Sequence, residues 1–285
     1  MIKLKTFGSF TVGNGLTSVQ EGAWRSEKLE KLFVYLAMNR NRGVCIEDIS
    51  EAIWQVEEET DNPVGALKNL AYRLRKALRD ASFGEECIVS VRGGLYKWND
   101  DVEVTIDVEE FDRYINEAEM AFCRSKETAI ESYEKAIALY HGDFLPLRTD
   151  THWFMTLNAF YHSRYVNTVK ALAKLYIDTG CYEKLEQLCT RAIVYERSDE
   201  QIYSYLIVAR MRTKKVQMAF DTYETAKAIM DKDLGVRKTV MLNKVYEELL
   251  SVTKGASSYN IDEVKDDISE ESMNGVFMCG YPVFK

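Results

Sequence analysis

The chain has 285 residues, 46% of them hydrophobic and 29% charged, and carries a formal net charge of −8. That length corresponds to about two domains, and the composition excludes disorder throughout. No apolar run approaches the roughly 18 residues of a spanning helix, and Met1–Phe7 lacks a signal-peptide core, so a cytoplasmic protein with no membrane partner is expected. Lys3 to Val12 reads as short strands, with Gly8 and Gly13-Asn14-Gly15 as turn signals. A first helix follows from Ser26, a plausible N-cap, to Met38, with Leu29, Leu32, Phe33 and Leu36 at three- and four-residue steps. A second helix spans Ile46 to Trp54 and buries Ile49 and Ile53, with Trp54 a further candidate for its buried side, and the acidic segment Gln55–Asn62 reads as a loop. Pro63 then opens a third helix capped by Asn62 and reaching Arg79, with Leu67, Leu70, Leu74 and Leu78 on one face. Two β-rich runs, Ile88–Arg92 and Leu95–Trp98, are joined by Gly93-Gly94, a good two-residue hairpin turn. Strands, three helices and a terminal hairpin in about 100 residues make an α+β winged helix-turn-helix.

From Asp107 to Val252 the pattern is helical almost throughout. Gly180-Cys181-Tyr182 with Leu185, Leu188 and Ala192 is matched 34 positions later by Lys214-Lys215-Val216 with Ala219, Thr222 and Ala226. Thirty-four residues is the tetratricopeptide period, so an all-α helical-repeat domain is expected. Thr128–Leu139 has the same aliphatic, aromatic and alanine texture. The expected organisation is therefore a winged helix over 1–100, a helical domain over 107–252, and an acidic linker with an apolar tail over 253–285, possible start of a further domain. The six cysteines show no C-x-x-C spacing, which leaves neither a zinc site nor a disulfide framework, and most are expected to be buried.

Charge divides along the same line. Residues 1–99 hold 14 basic and 13 acidic residues, net +1, and the rest of the chain is −9; the stretch 62–99 alone is +4. With the third helix's leucines turned inward, Lys68, Asn69, Tyr72, Arg73, Lys76 and Arg79 lie on or beside the opposite face. Arg and Lys there can meet phosphates, and Asn69 and Arg73 have side chains able to read adenine or guanine edges. The alternative is a merely solvated basic face. Arg92 beside the hairpin tip favours DNA, since a wing places an arginine at a minor groove. Tyr96 is either a phosphate donor or a half-buried strand aromatic.

The chain resembles the Streptomyces antibiotic regulatory protein type of transcriptional activator, an OmpR-like winged helix followed by a bacterial transcriptional activator domain. The resemblance rests on Leu4–Gly8, Glu51–Trp54, Ala66–Leu78, Val91–Tyr96, Asp107–Phe111, Ala138–Pro146 and Asp233–Val236. It implies that the helix at Pro63–Arg79 enters the major groove, that Arg92 reaches the minor groove, and that Arg73, Arg75 and Tyr96 touch phosphate or base. It implies further that the loop Gln55–Asn62 engages RNA polymerase. Double-stranded DNA carrying tandem repeats near a promoter, and polymerase or its sigma subunit, are then the expected partners; a homodimer on DNA stays open.

Two other readings compete. One is a helical-repeat scaffold that binds protein and not DNA. The other is an enzyme, which the residues argue against: the only histidines, His141, His152 and His162, lack metal-pair spacing, and Gly13-Asn14-Gly15 lacks the Lys-Ser/Thr of a phosphate loop. Trp153, Phe154, Phe160, Tyr161 and Tyr165, at helical spacing, read as core in preference to a cofactor cage. No catalytic residue, metal or cofactor is expected.

Overall fold

A computed structural model of the chain describes residues 1–54, 62–83, 87–91, 94–148, 150–233 and 239–253. The acidic loop up to Asp61, the hairpin residues Arg92 and Gly93, Leu234–Val236 and the tail from residue 254 fall outside these. The chain divides into two compact units, Met1–Tyr165 and Val166–Lys285.

The first unit opens with strands β1 (Ile2–Lys5), β2 (Thr11–Gly13) and β3 (Ser18–Gln20), joined by β6 (Val104–Ile106) in a four-stranded sheet of order β3-β2-β1-β6. β1 runs antiparallel to β2 and parallel to β6, and Leu4 stands opposite both Val12 and Ile106. Those three side chains are buried while Lys3 and Lys5 point outward, the two-residue alternation of a sheet with one covered face. Neither β3 nor β6 was expected from sequence; three-residue strands have too few positions to show a period.

Between β3 and β6 lie helices α1 (Glu27–Met38), α2 (Ile46–Ile53) and α3 (Pro63–Asp80), then the hairpin β4 (Ile88–Val91) and β5 (Leu95–Trp98). Ser26 precedes α1 in extended conformation, but its side chain makes no capping bond. At α3 the expected cap forms, with Asn62 Oδ1 accepting from Gly65 N at 2.9 Å. Leu67, Leu70, Leu74 and Leu78 are all buried, together with Ala71. Phe33 of α1 centres an aromatic cluster, 5.4 Å from the rings of both Trp24 and Trp98 and 6.2 Å from Phe10. Phe10, Phe33 and Trp98 are fully buried, and each contributes about 1.5–3 kcal/mol.

α1 is buried on nearly every side. All residues from Leu29 to Ala37 are buried, including Glu30 and Lys31, each 2% exposed. The reason lies downstream, in α4 (Asp107–Ala121), α5 (Lys126–Leu139), a 3-10 turn at Pro146–Arg148 and the start of α6 (His152–Asp178). Arg148 Nη2 meets Glu30 Oε2 at 2.5 Å, Lys31 pairs with Asp150, and Arg40 pairs with Glu109 through Nη1 and Nη2. Thr151 Oγ1 donates to the Ala52 carbonyl at 2.8 Å, and Tyr35 packs on Trp153. Asp107, where β6 becomes α4, accepts from Thr6 N at 2.7 Å, Thr6 Oγ1 at 2.6 Å, Phe7 N at 2.9 Å and Val108 N at 3.0 Å. Burial raises its pKa, with the donors from Phe7 and Thr6 pulling the other way. At Gly8 (φ +81°) a side chain would put its Cβ 2.5 Å from the His141 carbonyl oxygen, so only glycine fits. This first compact unit therefore runs past residue 100 to Tyr165.

Of the aromatic stretch read as core, Phe154, Tyr161 and Tyr165 are buried, with Tyr161 5.7 Å from Phe7 and Tyr165 stacked on Tyr140 at 3.8 Å, while Trp153 and Phe160 are half-buried. The cysteines depart from expectation. Of the five described, only Cys87 and Cys189 are buried, and Cys123 is exposed.

The second unit continues α6 and adds α7 (Tyr182–Tyr195), α8 (Glu200–Arg212), α9 (Val216–Asp233) and α10 (Val240–Thr253). α7 packs on α8, α8 on α9, and α10 on both α8 and α9. The 34-residue match is a match of backbone. Cys181 N donates to Tyr176 O at 2.8 Å, and Lys215 N to Arg210 O at 2.8 Å. Thr179 Oγ1 donates to Leu175 O, and Thr213 Oγ1 to Ala209 O. Gly180 and Lys214 both turn left-handed, at φ +71° and +61°.

Candidate nucleic-acid interface

α3 carries five basic residues, Lys68, Arg73, Arg75, Lys76 and Arg79, against one acidic residue, Asp80. Six of the expected contact residues are exposed along one side of it: Lys68, Asn69, Tyr72, Arg73, Lys76 and Arg79. Tyr72 is 63% exposed, an unusual setting for a large aromatic on a helix whose other face is buried from Leu67 to Leu78. Among the described residues Lys68, Arg73 and Lys76 form no ion pair, whereas Lys31, Arg40 and Lys97 each meet a carboxylate. The face thus combines fixed positive charge with two residue types, arginine and asparagine, whose donors and acceptors match purine edges.

Two expected contact residues stand differently. Arg75 is half-buried, and its Nε donates to the Ile88 carbonyl at 3.0 Å, tying α3 to the first residue of the hairpin. On a helical wheel it lies at the border between the Ala71/Leu78 side and the basic side, the one signal in sequence that separates it from its neighbours. Tyr96 is 5% exposed. Its backbone pairs with Val44 in both directions, at 2.7 and 2.9 Å, adding the segment before α2 to the hairpin sheet. Burial pushes its hydroxyl pKa up, partly offset by the charge of Arg75. Of the two readings left open for Tyr96, its environment is that of the strand aromatic. The approach is close here: a Cβ at Gly43 would come within 3.1 Å of the Leu95 side chain. Arg92, expected at the wing, lies outside the described residues, while Gly94 has φ +78°.

The histidines sit elsewhere. His162 Nδ1 lies 2.9 Å from Asp143 Oδ1, which also accepts from the Tyr140 hydroxyl at 2.8 Å. No helix among the described residues is long and apolar enough to cross a membrane.

A winged helix with an exposed basic α3, joined to tetratricopeptide-like helical repeats, defines a transcriptional regulator of the multidomain kind. Residues 106–250 match the bacterial transcriptional activator domain, and the chain belongs to that family, as a Streptomyces antibiotic regulatory protein-type activator. The transcriptional regulator RedD of Streptomyces coelicolor is 23% identical over 238 residues, 82% of this chain and 67% of RedD. Among solved structures, Mycobacterium tuberculosis EmbR in complex with a low affinity phosphopeptide superposes with a TM-score of 0.69 at 18% identity, covering 96% of this chain and 69% of that one. At that identity the likeness is one of fold.

Proposed function

We propose that this protein is a cytoplasmic, sequence-specific DNA-binding activator that docks α3 in a major groove at tandem repeats near promoters and recruits RNA polymerase or its sigma subunit. The observation that carries the reading is the exposed row Lys68, Asn69, Tyr72, Arg73, Lys76 and Arg79 on a helix whose opposite face is buried from Leu67 to Leu78. Lys68, Lys76 and Arg79 are assigned to phosphates, Asn69 and Arg73 to base edges, and Arg92 to the minor groove beside them. Arg75 and Tyr96 act one step back, Arg75 by tying the hairpin to α3 and Tyr96 by pairing it with Val44 ahead of α2. The acidic loop Gln55–Asn62 is assigned to polymerase on the strength of the family resemblance.

The test is a gel shift on promoter fragments retained by the wild-type chain. Arg73→Ala combined with Arg92→Ala abolishes retention with an unchanged circular dichroism spectrum. Three phosphate-bound cations give log affinity a slope of about −2.7 against log salt, and each one removed reduces it by about 0.9. Undiminished affinity in the double variant refutes the reading, and failure of the wild type to retain any specific fragment leaves the protein-binding scaffold in its place.

A further inference from the structure

Base reading requires that α3 be held at a fixed angle, and the way α3 ends bears on this. The helix closes with Ser82 N donating to Arg79 O and Phe83 N to Leu78 O, both at 2.9 Å, the paired bonds of a Schellman motif. The residue that turns left-handed there is Ser82, at φ +61°, where glycine is usual. The carbonyls of Ala81 and Ser82, next along the chain, are taken by the turn between β2 and β3. Thr17 Oγ1 donates to Ala81 O at 2.9 Å, and Asn14 Nδ2 donates to Ser82 O at 3.0 Å. The other end of the same amide builds the turn: Asn14 Oδ1 accepts from Leu16 N at 3.0 Å and Thr17 N at 2.9 Å. One asparagine therefore shapes the hairpin and fastens it to the end of the helix, across 68 residues of sequence.

We propose that Asn14 and Thr17 are positioning residues for DNA recognition, a clamp from the β2–β3 turn that sets the angle at which α3 meets the duplex. The proposal rests on the reading of α3 as the recognition helix. The clamp holds the C-terminal end of α3, so slack there lets the helix tilt as a body and carries Asn69 and Arg73 off the base edges assigned to them. Hydrogen bonds to base edges fall off steeply with small errors in distance and angle, whereas attraction to phosphates is tolerant of them. Loosening the clamp should therefore cost specific binding and spare non-specific binding. Removing Lys76, which is assigned to a phosphate, would not spare the second.

The experiment uses the full chain. A duplex is selected from a random pool by the wild type, and equilibrium affinity is measured on it and on a shuffled duplex of equal length. Thr17→Val keeps the side chain's shape and charge but has no donor, and Asn14→Ala removes both ends of the clamp. Each lowers affinity for the selected duplex by about threefold to tenfold, the loss expected for one or two hydrogen bonds, while affinity for the shuffled duplex stays within about twofold. Thr17→Ser, which retains the donor, restores wild-type discrimination. The proposal is overturned if both variants hold the selected duplex as tightly as the wild type. A parallel fall on both duplexes also overturns it, since that marks loss of the fold and not of the angle. If the wild type selects no duplex, the reading of α3 itself fails and the clamp's assigned role falls with it; selection with unaffected variants removes the clamp alone.

Discussion

Replacing Arg148 by methionine should destabilise the first unit by far more than an ordinary surface substitution. Its guanidinium is 11% exposed and faces three carboxylates: Glu30 at 2.5 Å, Glu21 at 3.4 Å and Glu27 at 3.7 Å. Glu30 is itself 2% exposed and retains only the Gly22 amide, 2.8 Å from Oε1, when the arginine goes. Breaking a buried pair from one side costs about 3–5 kcal/mol, and the amide that remains sets the expectation near 3 kcal/mol. For a unit of 165 residues, an unfolding entropy of about 2.1 cal/mol/K per residue makes that a fall of about 9 °C in Tm. Urea unfolding followed by near-ultraviolet circular dichroism measures it. The companion variant is Arg148→Met with Glu30→Met, which removes both charges. Gly22 is solvent-exposed, so water takes over its amide, and the pair should return to within about 1 kcal/mol of the wild type. A single-variant loss below about 1 kcal/mol, or a double variant no more stable than the single, refutes the reasoning.

Two further outcomes follow from the backbone and from titration. Lys214→Gly relieves a left-handed non-glycine residue and should stabilise by about 1 kcal/mol, whereas Gly180→Ala at the equivalent turn should destabilise by a similar amount; thermal melts of the two variants decide it. The hydrogen bond from His162 holds the Asp143 carboxyl below its ordinary value of 3.8, outweighing the opposing effect of burial. An acid depressed in the folded state stabilises above its unfolded pKa, and that contribution disappears as pH falls through the lower folded value. Carboxyl-carbon NMR should put the Asp143 midpoint below 3.8 in the wild type and nearer to it in His162→Ala.

The parts of the fold legible in sequence are those governed by local rules. α3 announced itself through Asn62, Pro63 and a leucine at every third or fourth position, and the hairpin through Gly93-Gly94. The exposed basic face followed, because in a helix the burial of one side dictates what the other presents. What sequence did not show depends on partners far along the chain. β6 is a strand only because β1 offers it an edge, and Tyr96 is buried in a strand that takes its second neighbour from Val44, far back in the chain. α1 did carry a signal: Val34, Tyr35 and Ala37 extend its apolar surface beyond the stripe of Leu29, Leu32, Phe33 and Leu36, and a helix with apolar residues on more than one face is covered on more than one face. The charges in its midst gave no such hint, since nothing near Glu30 or Lys31 points to residues 148 and 150. The repeat shows the reverse case, where side-chain identity lapsed at Lys214 while the dihedral angle persisted.

The pairing of β1 with β6, sealed by Asp107 on the amides of Thr6 and Phe7, also sets a clock for biosynthesis. Strand β2 follows within a few residues, but the other edge of β1 has no partner until about 100 residues more have been made. At about 5–20 residues per second that interval is roughly 5–20 s, during which an apolar strand edge leaves the ribosome incomplete. A nascent chain stalled before residue 104 should display this edge to chaperones, and one stalled well beyond residue 108 should have closed it.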